Sequence, residues 1–355
     1  MISSLELLNF KSFKNKKLPL GKLTVLSGLN NSGKSSVIQA VRMCAADMTH
    51  TGPHIDGHGG YSELKSRLTE VGAPIFIELA KSEADKATLI LTEKGFDFSH
   101  SYEIPYLQFI SADRFGPKVQ LPIIGDDISA LRVGAHGEFS AHYAVLFENC
   151  IIAERLRHPS SASNTLKHQL NWWMGEISPG VKLDFEVVNK YDSSHLAVDG
   201  HRPTNSGFGI SYVLPIVLSL LSMSSSIGKD EQDWRIGNWF TQLEQKKGIL
   251  LIENPEAHLH PRGQTLLGQL IARAASLGVQ IIVETHSDHF LDGVRLAVKN
   301  EEYIDPHDIA IKYFKKNPEE ETEVLDITVF KNGKLDYWPE GFFDQTSLNL
   351  RALAK

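Results

Sequence analysis

The most informative segment of the sequence is Gly28-Leu-Asn-Asn-Ser-Gly-Lys-Ser35, in which four residues separate a glycine from a Gly-Lys-Ser triplet. It follows the apolar run 23–27, which is typical of a short strand, and it precedes the helical pattern 37–41. A strand, a glycine-rich loop and a helix in this order are typical of a phosphate-binding loop, the Walker A motif. The segment therefore predicts that the chain binds a nucleoside triphosphate.

Each residue type in this loop has a chemical reason to be there. Glycine lets the backbone pass close to phosphate groups, so that successive N–H groups point at them, and the following helix adds its positive end. We expect the Lys34 ammonium to reach the β- and γ-phosphates and the Ser35 hydroxyl to bind Mg²⁺. The predicted nucleotide contacts are Gly28, Asn30, Asn31, Ser32, Gly33, Lys34, Ser35 and Ser36.

Composition indicates an ordinary globular protein. With 355 residues, the chain is long enough for one large α/β domain with an insertion, or for two domains that share a core. Its two cysteines, Cys44 and Cys150, give neither a disulfide framework nor a metal-binding spacing, which favours a reducing cytoplasm. The N-terminus lacks a signal-peptide pattern, and the longest apolar run, 213–223, is too short to span a bilayer. We therefore expect a cytoplasmic protein that does not bind membranes.

The distribution of charge leaves the question of nucleic acid open. The formal net charge is −7, so the chain has no overall basic character. Five lysines nevertheless crowd the first predicted strands: Lys11, Lys14, Lys16, Lys17 and Lys22. They are either the solvated face of a hairpin or an edge that contacts the backbone of DNA or RNA.

The first part of the chain, 1–133, reads mainly as strands around the phosphate loop. Residues 1–27 predict two strands joined by a turn over 10–17. The runs 74–79 and 87–92 predict an antiparallel sheet that flanks the nucleotide site.

A further strand-like run, 107–111, leads into the segment that contains Arg114. An arginine just past a buried strand either forms a structural ion pair or approaches the phosphates. Gln108 and Gln120 are candidates for a glutamine that joins the Mg²⁺ shell.

The middle of the chain, 134–180, predicts a helical insertion, and 181–355 returns to the nucleotide-binding core. In this last part, the small residues of 204–211 precede the apolar helix 212–223. Such a helix start is either an anion-binding end or a plain helix cap.

A second pair of segments supplies polar groups where buried strands end. Gly248-Ile-Leu-Leu-Ile-Glu253 is a continuous apolar run that ends in a carboxylate, as in a Walker B strand. The apolar run 279–285 ends at His286. Because open α/β sheets bind ligands at the carboxyl ends of their strands, we expect Glu253 to reach Mg²⁺, directly or through water, opposite Ser35.

Together, these segments resemble the ABC-type ATPase heads of the SMC, RecF and OLD group. The segments that carry the resemblance are 28–35, 206–211, 249–253, 285–287 and the lead-in Asn9-Phe-Lys-Ser-Phe13. The chain also resembles a compact branch of these ATPases that ends in a motif such as Trp338-Pro-Glu-Gly-Phe-Phe-Asp344. The resemblance covers essentially the whole chain. It implies an α/β head with a mixed sheet core, an antiparallel β subdomain, a helical insertion and no long coiled coil.

The resemblance also implies a mechanism. Such heads form a head-to-tail homodimer with two ATP molecules between the subunits, each bound to Mg²⁺. The residues expected to contact the partner's γ-phosphate are Ser206, Gly207, Gly209 and Ser211. His286 would be the switch histidine that senses the γ-phosphate.

One position departs from the pattern of these heads. Most of them have a glutamate directly after the metal-binding acid, and here that position is Asn254, which can orient water but cannot accept a proton at neutral pH. Glu256 lies two residues further on, beyond a proline, and is the alternative base. We therefore expect slow ATP hydrolysis and a long-lived ATP-bound dimer.

The resemblance leaves several biological roles open. Similar ATPases commonly lie in prokaryotic mobile-element or antiphage loci beside a nuclease or another toxic effector, as in Septu-type systems, which implies a regulator of an effector in antiviral defence. The alternatives are a RecF-like repair ATPase that binds DNA, and a scaffold that uses ATP only for assembly. A metal-dependent nuclease is a less favoured interpretation of the acidic and histidine side chains Glu256, His258, His260, His286, Asp288 and His289.

Overall fold

The computed structural model describes residues 1–46, 48, 52–125, 131–228, 233–246, 248–301 and 303–354. The chain forms two compact units, each built from separate chain segments. The first unit comprises residues 1–107, 282–286 and 305–355. The second comprises residues 108–281 and 287–304.

The elements follow one another along the chain in three groups. The first group is β1 (Ser4–Phe10), β2 (Phe13–Pro19), β3 (Leu23–Gly28), α1 (Lys34–Cys44), α2 (Tyr61–Leu64), β4 (Ile75–Ala80), β5 (Lys86–Thr92), β6 (Gly95–His100) and β7 (Tyr106–Ile110). The second group is β8 (Leu121–Pro122), α3 (Ser140–Leu146), β9 (Ile151–Ile152), α4 (Leu166–Ile177), β10 (Leu183–Val188), β11 (Ser193–Val198), α5 (Phe208–Met223), β12 (Ser225–Ser226), α6 (Trp234–Lys246), β13 (Gly248–Glu253), α7 (Pro261–Ser276), β14 (Gln280–Glu284) and α8 (Asp288–Glu301). The third group is β15 (Ile309–Lys316), β16 (Thr322–Ile327) and α9 (Gln345–Leu353).

The first unit contains the predicted antiparallel sheet, with the strand order β2-β1-β4-β5-β6. Helix α1 packs against β4 and β5, and β5 alternates between buried and more exposed residues, the buried ones being Ala87, Leu89 and Leu91. The edge strand β6 is mostly exposed and lacks this alternation in burial. The turn predicted over 10–17 is wrong: β1 and β2 are joined by Lys11 and Ser12 alone, and most of that segment belongs to β2.

A second sheet of the first unit places the phosphate loop. Strand β3 is buried along its whole length and pairs in parallel with β15, with Val25 opposite Ile311. On its other side β3 neighbours β14, and the Thr285 N–H donates a hydrogen bond to the Leu26 carbonyl (3.0 Å). Strand β16 adds to β15 in the antiparallel direction. The predicted mixed sheet core is thus confirmed.

In the second unit, β13 neighbours the start of β14 and the end of β7, and helix α5 packs against it. Helix α5 is apolar and largely buried, as its sequence predicts. Helices α7 and α8 pack closely at Gly268 and Gly293, where an added Cβ would collide with a backbone carbonyl of the other helix. The segment predicted as a helical insertion, 134–180, lies in this unit and forms α3, β9 and α4.

The longest described helices, α5 and α7, have 16 residues each, so the described residues form no long coiled coil. Within the same residues, no helix is both long and apolar enough to cross a membrane.

Candidate nucleotide-binding site

The phosphate loop connects the end of β3 to the start of α1 and needs glycine at two points. Gly28 has φ +142°, and a Cβ there would collide with the backbone carbonyl of Phe314 in β15. Gly33 has φ +107°, and a Cβ there would lie 2.7 Å from the Thr322 hydroxyl. Both positions therefore require glycine even before a phosphate group is considered.

Strand β16 holds the loop from the side. The Thr322 hydroxyl donates a hydrogen bond to the Ser32 carbonyl (2.8 Å) and lies 2.6 Å from the Ser12 hydroxyl. The Thr322 N–H also donates to the Ser12 carbonyl (2.9 Å). One threonine thus fixes both the loop and the turn between β1 and β2.

Lys34 lies inside the loop, with its side chain only 3% exposed. Its ammonium group donates to the carbonyls of Gly28 (3.0 Å) and Leu29 (2.8 Å) and lies 3.6 Å from Oε1 of Glu284. Burial lowers the pKa of Lys34, and the negative charge of Glu284 opposes this effect. The lysine is therefore held at the centre of the loop by groups that a phosphate can replace.

Glu284, the last residue of β14, is a member of the site that sequence reasoning missed. Its Oε2 accepts a hydrogen bond from the Ser35 hydroxyl (2.8 Å), and its side chain is 8% exposed. His286 is exposed, with Nε2 4.0 Å from Oε1 of Glu284. The sequence does contain an indication of this role, because Glu284 ends a buried strand just as Glu253 does. A hydroxyl and a carboxylate side by side are oxygen ligands that suit Mg²⁺.

A cavity of about 660 Å³ adjoins the loop and is lined by residues of the first unit. Every loop residue from Asn30 to Ser36 lines it. Its lining has five cationic side chains, Lys11, Lys34, Lys65, Arg67 and Lys316, against three carboxylates, Glu63, Glu284 and Glu320. The buried Ser32 hydroxyl has no hydrogen-bond partner among the described residues. Burial lowers the pKa of Lys11, so an anion beside this ammonium group would stabilise its charge. The cavity thus fits a phosphate-rich ligand such as ATP.

Two of the five lysines of the first strands form ion pairs with nearby carboxylates. Lys14 forms ion pairs with Glu319 (3.3 Å) and Glu321 (3.2 Å), and Lys22 pairs with Asp308 (2.7 Å). Such pairs are typical of a solvated face. Contact between this cluster and DNA or RNA stays a prediction.

In the second unit, Arg114 fixes the end of β13. Its guanidinium group is buried and donates to the carbonyl of Glu253 (Nη1, 3.0 Å) and to that of Asn254 (Nη2, 2.6 Å). The Ala112 N–H donates to Oε2 of Glu253 (3.1 Å). Burial lowers the pKa of Arg114 to about 10, against the opposing effect of nearby acidic groups, so the guanidinium stays charged at neutral pH. Within the second unit, Arg114 thus holds two backbone carbonyls in place, a role that the sequence did not predict.

Asn254 begins the turn that follows β13. Its φ is +45°, a left-handed conformation that asparagine tolerates better than most residues. Its amide Oδ1 is buried and has no hydrogen-bond partner among the described residues. Glu256 lies in the same turn, where its carbonyl accepts from the Leu259 N–H (3.0 Å). An unpaired buried amide oxygen fits a site that receives a hydrogen bond from water.

The predicted signature segment packs on this turn. Ser206 and Gly207 lie just before α5, and Gly209 and Ser211 lie in its first turn. A Cβ on Gly209 would lie 2.6 Å from the carbonyl oxygen of His258. The close approach of the helix to the turn thus depends on glycine.

Aromatic contacts reinforce this packing. The imidazole of His258 lies edge-on to the ring of Tyr212, with a centroid distance of 4.6 Å. The guanidinium of Arg114 lies 5.1 Å from the centroid of the same tyrosine ring. The start of α5, Arg114 and the turn after β13 therefore form one packed cluster.

Two other predictions concern metal ligands. The prediction for Gln108 is wrong, because this side chain is buried and accepts a hydrogen bond from the Ser219 hydroxyl (2.9 Å) in the core of the second unit. Gln120 is exposed. In the described part of the chain, no group of three or more His, Cys, Asp or Glu side chains is placed to hold a metal ion.

Comparison with known proteins finds two families and a relative that match this chain. Residues 1–169 and 181–291 match the AAA ATPase domain family. Residues 304–353 match a second family, described as a protein of unknown function. An OLD nuclease from Thermus scotoductus is 21% identical over 334 residues, which cover 82% of this chain and 60% of that protein. The chain thus spans about 60% of the length of this relative.

Solved structures of SMC heads have a similar fold. A head bound to the C-winged helix domain of ScpA has a TM-score of 0.56 at 15% identity, covering 93% of this chain and 98% of that one. A Pyrococcus furiosus head with an extended coiled coil, bound to the C-terminal domain of ScpA, has a TM-score of 0.50 at 12% identity, covering 100% and 99%. These matches show that the chain shares the fold of SMC heads.

Replacing Glu284 with Gln keeps the shape of the side chain and removes its charge. We expect ATP turnover to fall about 10- to 100-fold, with a higher Mg²⁺ requirement, because Ser35 and Lys34 both lose the carboxylate that they contact. The measurement is phosphate release across a Mg²⁺ titration. The matched control is Glu63→Gln, which alters another carboxylate of the same cavity. Unchanged turnover and Mg²⁺ dependence in Glu284→Gln would contradict this role.

Replacing Arg114 with Lys keeps the charge and removes the two-pronged hydrogen bonding. We expect kcat to fall about 10- to 100-fold while the KM for ATP changes little, because the turn after Glu253 is displaced and the phosphate loop is intact. Steady-state kinetics give both values, and Arg155→Lys, at an exposed position of the same unit, is the control. A rise in KM alone would show that Arg114 serves binding instead.

Proposed function

The chain belongs to the AAA ATPase domain family, and we propose that it works as a slow ATP-driven switch whose ATP-bound homodimer acts on a partner protein. The observation that carries this proposal is Asn254. A residue that cannot take a proton stands directly after Glu253, and its buried amide oxygen has no partner among the described residues. A site with this residue holds ATP for long periods between hydrolysis events.

The first unit supplies the phosphate-binding groups. We propose that Lys34 exchanges its bonds to the Gly28 and Leu29 carbonyls for bonds to the β- and γ-phosphates. Ser35 and Glu284 would hold Mg²⁺ through the two oxygens that now bond each other, and Glu253 remains the second acidic ligand that we propose. When bound, Mg²⁺ neutralises negative charge on the phosphate oxygens.

The second unit supplies the groups for the attacking water. The Asn254 amide oxygen accepts a hydrogen bond from water and so orients it, but leaves its protons in place. A missing general base typically costs 10²- to 10⁴-fold in rate, roughly the loss expected here. Glu256, in the same turn, is the alternative proton acceptor.

Dimerisation would make each site complete. Gly207 is exposed at the start of α5, which supports a contact between Ser206, Gly207, Gly209 and Ser211 and the γ-phosphate held by the other subunit. His286 is also exposed and lies beside Glu284, which supports its role as the switch histidine. We therefore propose a head-to-tail homodimer with two ATP molecules.

The partner of this switch is proposed from the resemblance alone. The related ATPases of antiphage loci favour a toxic effector, such as a nuclease encoded nearby, and a role in antiviral defence. Cys44 and Cys150 are both buried and form no disulfide, which supports a reducing cytoplasm as the location. A RecF-like role on DNA and an ATP-dependent scaffold remain the alternatives.

Asn254→Glu places a proton acceptor after Glu253. We expect ATP turnover to rise about 10-fold or more, since general bases contribute at least 10²-fold in well-placed cases. Glu256→Gln should leave turnover nearly unchanged, and phosphate release by both variants under saturating ATP is the measurement. If Asn254→Glu fails to accelerate hydrolysis and Glu256→Gln abolishes it, Glu256 is the base and the slow-switch proposal is wrong.

The dimer is tested by the mass of the protein in solution with and without ATP and Mg²⁺, by light scattering. We expect a dimer only with ATP, and Ser206→Arg should bind ATP yet stay monomeric, because its side chain blocks the γ-phosphate contact. Lys34→Ala, the control, should lose ATP binding as well. A monomer in all conditions, or an assembly whose mass does not change with ATP, would contradict the proposed dimer.

Two further results would favour the alternative functions. Turnover stimulated by DNA in the isolated protein would favour the RecF-like alternative, and ATP-dependent dimers without turnover would favour the scaffold.

A further inference from the structure

A second cavity, in the second unit, has no part in the ATPase site. It is a groove of about 800 Å³ between one face of α4 and the segment 180–184. Helix α4 contributes three pairs of residues, with successive pairs about one helical turn apart: Lys167 and His168, Asn171 and Trp172, and Gly175 and Glu176. The opposite wall continues into β10, which begins at Leu183. The Asn171 side-chain amide links α4 to this wall: its Oδ1 accepts a hydrogen bond from the Leu183 N–H (2.7 Å), and its Nδ2 donates to the Leu183 carbonyl (3.1 Å).

Trp172 is the distinctive residue of this groove. It is 45% exposed, although large aromatic side chains gain stability by burial. One face of the indole stacks on the buried imidazole of His158, with a centroid distance of 5.3 Å and an interplanar angle of 17°. The rest of the indole surface lies open to the groove.

His158 is locked in the orientation that supports this stack. Its Nδ1 accepts a hydrogen bond from the Ser160 N–H (3.1 Å), so its proton lies on Nε2 and is donated to Oε2 of Glu176 (2.5 Å). Both ring nitrogens are thus used, and the imidazole cannot turn without losing a bond. The indole therefore rests on a fixed support and forms a preformed stacking platform.

The rim of the groove carries the polar groups that a nucleotide requires. Lys167 and Lys182 bring ammonium groups that suit a phosphate, and Lys167 also pairs with Glu148 (3.1 Å). Asp184 brings a carboxylate that can accept hydrogen bonds from the amino group of a base. An aromatic side chain of a partner protein would use the indole but none of these charges.

We propose that this groove binds a nucleotide unit, with its base stacked on Trp172 and its phosphate beside Lys167 and Lys182. Base–aromatic stacking combined with nearby cations is how proteins hold single-stranded nucleic acid, and it tolerates different bases. The same chemistry serves a free nucleotide. The inference does not depend on the proposed switch, because none of these residues belongs to the phosphate loop or the turn after β13.

The test measures binding of a fluorescein-labelled 12-nucleotide single-stranded DNA to the full chain by anisotropy, without added ATP, because a groove that accepts free nucleotides would also bind ATP. Trp172→Ala should weaken binding between about 5- and 100-fold, the range that stacking contributes, and Trp172→Phe should retain most of it. The matched control is Trp234→Ala, a tryptophan of the same unit that is 61% exposed and does not line the groove. ATP turnover should be the same in all three variants and in the unsubstituted protein.

Unlabelled CMP, added as a competitor, separates the two sources of the ligand. Displacement of the DNA by micromolar CMP indicates a free-nucleotide site, and displacement only by longer strands indicates single-stranded nucleic acid; either result supports the groove. Lys182→Gln, at an exposed position whose change should leave the core intact, should weaken binding and reduce its dependence on salt. The proposal is overturned if the unsubstituted chain binds neither probe, or if Trp172→Ala and Lys182→Gln bind as well as it does.

Discussion

A buried ammonium group needs an opposite charge, and the phosphate loop depends on how this need is met. Lys34 is almost inaccessible to solvent, and its counter-charge is Glu284, itself nearly buried. Removing one partner of such a pair leaves an uncompensated charge in the interior, which is strongly destabilising. Glu284 is delivered by β14, so the loop keeps its shape only while β14 stays in register beside β3. The nucleotide site is thus a property of the sheet as much as of the loop.

The second unit also contains a buried cation, but its hydrogen-bond partners are backbone carbonyls. Arg114 is a buried cation whose Nη1 and Nη2 groups donate to backbone carbonyls, those of Glu253 and Asn254. A guanidinium is suited to this role because its planar donors can bond two acceptors at once and it stays charged when buried. The same group lies against Tyr212, which joins the turn after β13 to the start of α5. A change in Arg114, in the turn after β13 or at the start of α5 therefore alters the packing of the other two.

The sequence predicted the parts of the site that short spacing defines. The loop 28–35 and the strand that ends at Glu253 could be recognised because their glycine, lysine and acidic positions follow local rules. The role of Glu284 could not, since it is set by a hydrogen bond to Ser35 between residues 249 positions apart. The role of Arg114 was missed because its partners are carbonyl groups, which every residue has.

The hydrogen bond between Thr322 and Ser32 has a consequence for the order in which the protein is made. These two residues are 290 positions apart, and β15, which borders the loop, comes equally late in the chain. At ordinary rates of synthesis, the loop waits roughly 15 to 60 seconds for the neighbours that hold it. During that time the glycine-rich segment has neither Thr322 nor β15 to hold it. A nascent chain therefore carries the phosphate-binding sequence long before it carries the threonine and the strand that hold the loop.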